Sequence, residues 1–138
     1  MDSPTIDGLR FCRNRASLSG EVEPTRMARL AGAGCRVRQL RYRIEGGESE
    51  QGEPILELLI EGQFDLTCQR CLQDMQWTLS TNVSLGLARS LQELEGAQDD
   101  LDRVVAGKSM NIEGLVEDEV ILAVPMVPRH EICSLHES

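Results

Sequence analysis

Aromatic side chains are scarce in this chain. Phe11, Tyr42, Phe64 and Trp77 are all there is in 138 residues. A sheet studded with aromatics, on which single-stranded nucleic acid stacks its bases, is therefore not on offer, and the core has to be built from Leu, Val and Ile. No apolar run approaches the 18 or so residues that cross a bilayer. The opening residues, with Asp2, Pro4 and Asp7, have neither the basic start nor the apolar block of a secretory signal. The expectation is a soluble, cytoplasmic protein with no membrane partner. Five cysteines, an odd number, suit a disulfide framework poorly and are expected as thiols in a reducing compartment.

Positive charge is also in short supply, and it is unevenly placed. The formal charge is −9, which excludes a protein that coats nucleic acid over its whole surface. Residues 1–44 nevertheless hold nine arginines against Asp2, Asp7, Glu21 and Glu23, while the remainder holds five basic groups against 19 acidic ones. One end is able to touch phosphate while the rest repels it; the simpler reading is a solvated surface of mixed charge.

The periodicity predicts one α+β domain spanning residues 1–138: an antiparallel β-sheet of about four to six strands, with a short N-terminal helix and a C-terminal helix packed on it. Residues 9–22 read as an extended arm or edge strand. Pro24 and the helix formers Arg26 to Leu30 predict a helix of about two turns, stopped by Gly32 and Gly34. Leu40, Tyr42 and Ile44 alternate with Arg41 and Arg43, so a half-buried strand with a basic outer face is expected there, and Val37 falls out of phase unless a bulge intervenes. The Gly- and Glu-rich stretch 45–53 reads as a flexible hairpin loop. Ile55 to Cys68 reads as a central strand, and Trp77 to Leu87 alternates strictly. The acidic stretch 90–102 reads as an exposed helix turn or a mobile loop, 103–106 as a short strand, and 126–138 as a flexible tail. Ile112, Leu115, Val116, Val120 and Ala123 share one helical face up to Pro125, with Glu113, Glu117 and Asp118 off that face.

The chemistry centres on Cys68-Gln69-Arg70-Cys71-Leu72, a two-thiol turn between two strands. Its thiols would join His130 and Cys133 of the tail in a tetrahedral Cys3His structural zinc site if the tail folds back; alternatively they are small apolar residues ending a strand. A redox role is disfavoured by the strand flanks. Arg70 suits a phosphate, or a carboxylate of Glu117, Asp118 or Glu119 that would lock the turn to the C-terminal helix. Arg36, Arg38, Arg41 and Arg43 are the candidate RNA-facing residues. The Glu117-Asp118-Glu119 run is more readily a solvated helix face than the magnesium site of a nuclease, because consecutive helical side chains diverge. No Ser-His-Asp arrangement or Gly-rich phosphate loop is present, so catalysis is not expected.

The turn motif Cys68-Gln69-Arg70-Cys71-Leu72 and the later run Leu115-Val116-Glu117-Asp118-Glu119-Val120-Ile121-Leu122-Ala123-Val124-Pro125, with Pro128 and His130 behind it, resemble the bacterial YceD family. Ser19-Gly20-Glu21 and Arg29-Leu30 resemble the family's early segment. The family signature thus falls on Cys68, Arg70, Cys71, Glu117, Asp118, Glu119 and Pro125. The resemblance implies a non-enzymatic factor supporting the synthesis, processing or accumulation of 23S ribosomal RNA in large-subunit biogenesis. Its partners would be precursor ribosomal RNA or large-subunit assembly proteins. The alternative is an acidic protein-binding adaptor, serving ribosomal proteins or an RNA-processing enzyme without direct RNA contact. No established cofactor comes with the resemblance; structural zinc stands as the one candidate.

Overall fold

The structure, a computed structural model, describes residues 4–97 and 101–125. In chain order the elements are β1 (Thr5–Ile6), α1 (Gly8–Arg13), β2 (Ser17–Glu21), a 3-10 turn at Pro24–Arg26, α2 (Ala28–Gly32), β3 (Cys35–Glu48), β4 (Pro54–Thr67), β5 (Asp74–Ala88), α3 (Leu91–Glu95), β6 (Arg103–Val105), β7 (Met110–Asn111) and α4 (Ile112–Ala123). The main sheet runs β2-β3-β4-β5-β6, and β1 pairs with β7 in a two-stranded ribbon. The α+β expectation and the strand number hold. The sheet is mixed rather than wholly antiparallel, because β6 joins β5 in parallel through Gly86 to Ala88.

Alternation builds the centre. Leu56, Leu58, Ile60, Phe64 and Leu66 of β4 point to one face and are fully buried against Leu40, Tyr42 and Ile44 of β3. Ile112, Val116 and Val120 of α4 close that core from the helix side. Val37 pairs with Phe64 and Gln39 with Gln63, which leaves Arg38 as the extra residue of a bulge. This is why Val37 is out of phase in the sequence.

Two segments differ from their sequence reading. Residues 45–53 are not a flexible loop: β3 and β4 stay in register to the Glu48–Pro54 pair, leaving a tight connection at 49–53 with Gly52 at φ 79°. A Cβ on Gly46 would lie 2.6 Å from the Phe11 carbonyl oxygen and 2.8 Å from Cys12 Cα, so glycine serves there for the close approach of α1 rather than for mobility. The N-terminal arm is likewise partly helical. Asp7 accepts a hydrogen bond from the Arg10 backbone N–H at 3.3 Å and caps α1, with β2 forming the edge strand only afterwards. In the acidic stretch, Ser90 caps the short helix α3. Among the described residues no helix is long and apolar enough to cross a membrane.

Candidate functional site

One face of the main sheet is covered by α1, α2 and α4; the other is an open polar surface. The bulge at Arg38 decides its character. By alternation alone Arg36 and Arg38 would side with Leu40, but the extra residue shifts the phase, and Arg36, Arg38, Arg41 and Arg43 are all exposed along β3. The four candidate RNA-facing residues therefore form one continuous stripe.

Every guanidinium of the stripe is closed onto a carboxylate. Arg36 donates to Asp74 at 2.5 Å, Arg38 to Asp65 at 2.7 Å and Arg43 to Glu45 at 3.2 Å, while Arg41 stands 3.5 Å from Glu61. The register explains one pair, since Arg41 lies directly opposite Glu61; Arg43 and Glu45 are two apart on β3 itself, Arg38 reaches Asp65 of β4 from the bulge, and Arg36 reaches Asp74 of β5. Asp65 also holds the Arg38 cation firmly, raising its pKa. Two further carboxylates share the face without a guanidinium: Glu21 accepts from Gln39 Nε2 at 3.0 Å, and Glu57 accepts from the Ser84 hydroxyl at 2.7 Å. The open face is thus weakly acidic, with hydroxyl and amide rows from β5 beside it.

The other conspicuous charge arrangement lies on the covered side. Glu113 and Glu117, one turn apart on α4, are 7% and 6% exposed and sit on the same stripe as Ile112, Val116 and Val120. They are not a solvated face. Glu117 accepts from the backbone N–H groups of Arg29 and Leu30 at 3.0 and 3.2 Å, and from Arg29 Nε at 3.1 Å. The N-cap position of α2 is Met27, which offers no side-chain acceptor, so α4 supplies the cap that the local sequence lacks. Arg29 also donates to Asp118 at 2.6 Å and to the Gly114 carbonyl at 3.3 Å, and Arg26 donates to both oxygens of Glu113 at 3.3 Å. The hydrogen bonds from Arg29 to Asp118 and Glu117 push its own pKa further up.

Of the two partners open to Arg70 in the sequence, phosphate or these carboxylates, the second is corrected: Arg29 holds Glu117 and Asp118, and Arg70 is exposed on the 68–73 turn. The missed signal is spacing. Arg26 of the 3-10 turn and Arg29 of α2 stand three apart, and Glu113 and Glu117 of α4 four apart, so that two cations face two carboxylates on successive turns. Burial, with Asp102 and Asp118 nearby, raises the pKa of Glu119. Two of the three consecutive carboxylates, Glu117 and Asp118, thus converge on the one guanidinium of Arg29. Among the described residues, no group of three or more His, Cys, Asp or Glu side chains is placed to hold a metal ion.

In the two-thiol turn, Cys68 is fully buried and Cys71 half-buried. The turn closes through the Leu72 N–H to the Cys68 carbonyl at 2.8 Å and the Cys68 N–H to the Gln73 carbonyl at 2.9 Å. Leu72 takes the left-handed conformation, φ 63°, while 71% exposed. The other half of the zinc candidate, His130 and Cys133, lies outside the described residues. Pro125 follows the C-cap of α4, Val124, as expected of a helix stop.

These features define an α+β protein with an open, weakly acidic sheet face and, behind it, a buried carboxylate, Glu117, that caps a helix. The family model described as "Large ribosomal RNA subunit accumulation protein YceD" matches residues 56–138, and the chain belongs to that family. A protein of Haemophilus influenzae named Large ribosomal RNA subunit accumulation protein YceD is 23% identical over 129 residues, covering 91% of this chain and 74% of the relative. No solved structure matches the chain.

Proposed function

We propose that this chain supports the accumulation of large-subunit ribosomal RNA without catalysing a reaction on it, and that it does so as an adaptor for a basic protein of large-subunit assembly. The family and the name of its Haemophilus influenzae relative support the first half. One observation carries the second: on the open face each arginine of the β3 stripe is bound to a carboxylate, and Glu21 and Glu57 remain in excess. Phosphates gain from contact with clustered, unmatched cations. A face whose cations are neutralised and whose surplus charge is negative favours a cationic partner instead.

A second reading has its own support, namely that the Arg38 bulge gathers Arg36, Arg38, Arg41 and Arg43 on one exposed face. Exposed ion pairs cost only about 0–1 kcal/mol each to break, so RNA would be able to compete for these guanidiniums. The two readings separate in one binding series. Affinity of the chain for large-subunit RNA fragments is measured against salt, for the wild type and for Arg41→Glu/Arg43→Glu. The adaptor reading expects weak RNA affinity that the double substitution leaves unchanged, together with a basic protein partner retained after ribonuclease treatment. Tight, salt-sensitive RNA binding lost in the double variant refutes the adaptor reading. The zinc site remains a proposal beside it: Cys68 and Cys71 with His130 and Cys133, tested by metal content after purification without a histidine tag.

A further inference from the structure

We propose that β5 is the seam of a homodimer, in which two copies pair antiparallel along Asp74–Ser84 to make one continuous sheet. The observation is a change of burial along a single strand. Where β6 pairs with β5, Gly86, Leu87 and Ala88 are all buried, as is Leu85 immediately before them. Ahead of that point, among the described residues, β5 has a strand neighbour only in β4. There the covered-side residues Met75, Trp77, Leu79 and Val83 are only half-buried, although each packs on the core. A neighbouring strand completes the burial where there is one, and is wanting where there is none.

Sheet edges are normally protected by lysine, proline, bulges or shortness. The other edge of this sheet, β2, is protected by being five residues long. β5 spans 15 residues and pairs with β4 without a register break. It has no proline and only Asp74 is charged, and Arg36 binds that carboxylate. The lack of charge selects the occupant. A chain of formal charge −9 repels its own copy over most of its surface, and along this strand two copies set no like charges against each other. A basic foreign strand would find no carboxylate along the edge beyond Asp74, which Arg36 already holds.

The strand is also complementary to itself. Pairing about a two-fold axis at Leu79 sets Leu79 opposite its own copy, Trp77 opposite Thr81 and Met75 opposite Val83 on the covered face. On the open face it sets Thr78 opposite Ser80 and Gln76 opposite Asn82, hydroxyl with hydroxyl and amide with amide. The symmetry is isologous and closed, so assembly stops at two.

The test is the mass of the full chain by sedimentation equilibrium, from about 1 to about 500 μM, because a seam of two strands lies at the small end of stable interfaces. The wild type is expected to double its mass within that range. Thr78→Lys/Ser80→Lys, both on the exposed face, places like charges opposite each other across the axis and is expected to stay monomeric. Thr78→Lys/Ser80→Glu places opposite charges there and is expected to dimerise as the wild type does. A monomeric wild type throughout the range, a dimer that survives the double lysine substitution, or a monomeric Lys/Glu variant overturns the proposal.

Discussion

Glu117→Ala removes the cap of one helix by truncating a residue of another. In the wild type the carboxylate takes the backbone N–H groups of Arg29 and Leu30 and the Arg29 Nε, all within 3.2 Å, while only 6% exposed. Loss of an N-cap costs about 0.5–2 kcal/mol, and a buried donor left unsatisfied costs a further ~1–3 kcal/mol. Leu30, fully buried, is the residue whose N–H pays the second cost. The expected destabilisation is therefore about 2–4 kcal/mol, a fall in Tm of roughly 6–15 °C for a domain of this size. Glu117→Gln keeps one acceptor oxygen and is expected to cost about 1–2 kcal/mol. Urea unfolding checks the free energies, with the m-value unchanged. Amide hydrogen exchange provides the local reading: the Arg29 and Leu30 amides should lose protection in the alanine variant while those of β4 follow only the global change. A Glu117→Ala protein within about 0.5 kcal/mol of the wild type would refute the assignment of Glu117 as the cap of α2.

Other perturbations test other parts of the fold. Gly46→Ala drives a Cβ into the α1 backbone at 2.6 Å and is expected to cost about 1–3 kcal/mol by thermal or urea unfolding, since backbone cannot step aside as a side-chain tip can. Leu72→Gly relieves the left-handed φ of 63° at an exposed site and should leave stability unchanged or raise it by up to about 1 kcal/mol, the glycine's freedom in the unfolded chain offsetting part of the gain. Burial raises the Cys12 thiol and pushes Cys35 up to about 11, so both should resist alkylation at pH 8 in the folded protein and react once it is unfolded, as read by mass spectrometry. The Glu119 carboxyl is raised by burial and by Asp102 and Asp118. The folded state holds that proton more tightly than the unfolded one, so ionising Glu119 opposes folding above its folded-state pKa, and the penalty fades as pH falls to the ordinary Glu range. Glu119→Gln should accordingly raise Tm at neutral pH and lose that advantage near pH 4.

The strands were legible because each reports its own burial. The alternation from Trp77 to Leu87, the doubly apolar centre of β4 and the out-of-phase Val37 map onto β5, β4 and the bulge. Pro125 marks the end of α4 for the local reason that it cannot continue the helix. What was hidden depends on partners distant in the chain. Arg10, Arg13 and Arg15 interleaved with Leu9 and Phe11 suggest an extended arm, yet the Asp7 cap and the opening at Gly46 dock α1 as a helix. Glu113 and Glu117 look like ordinary exposed helix carboxylates until Arg26 and Arg29, some 87 residues earlier, are brought opposite them. The direction of a three-residue strand such as β6 leaves no trace in its side chains, hence the parallel pairing with β5. For the open face, the arginines themselves were visible in the sequence; the neutralisation of Arg36, Arg38 and Arg41 was not, because Asp74, Asp65 and Glu61 lie on other strands.

The claim that the open face works through its carboxylates is tested most directly in cells whose own copy of the gene is deleted, by the steady-state ratio of large- to small-subunit ribosomal RNA. One complementing chain carries Glu21→Gln/Glu57→Gln/Glu61→Gln; another carries Ala at Arg36, Arg38, Arg41 and Arg43. The account predicts that the arginine-free chain restores the ratio and the carboxylate-depleted chain does not. Restoration by the carboxylate-depleted chain, with failure of the arginine-free one, would contradict it.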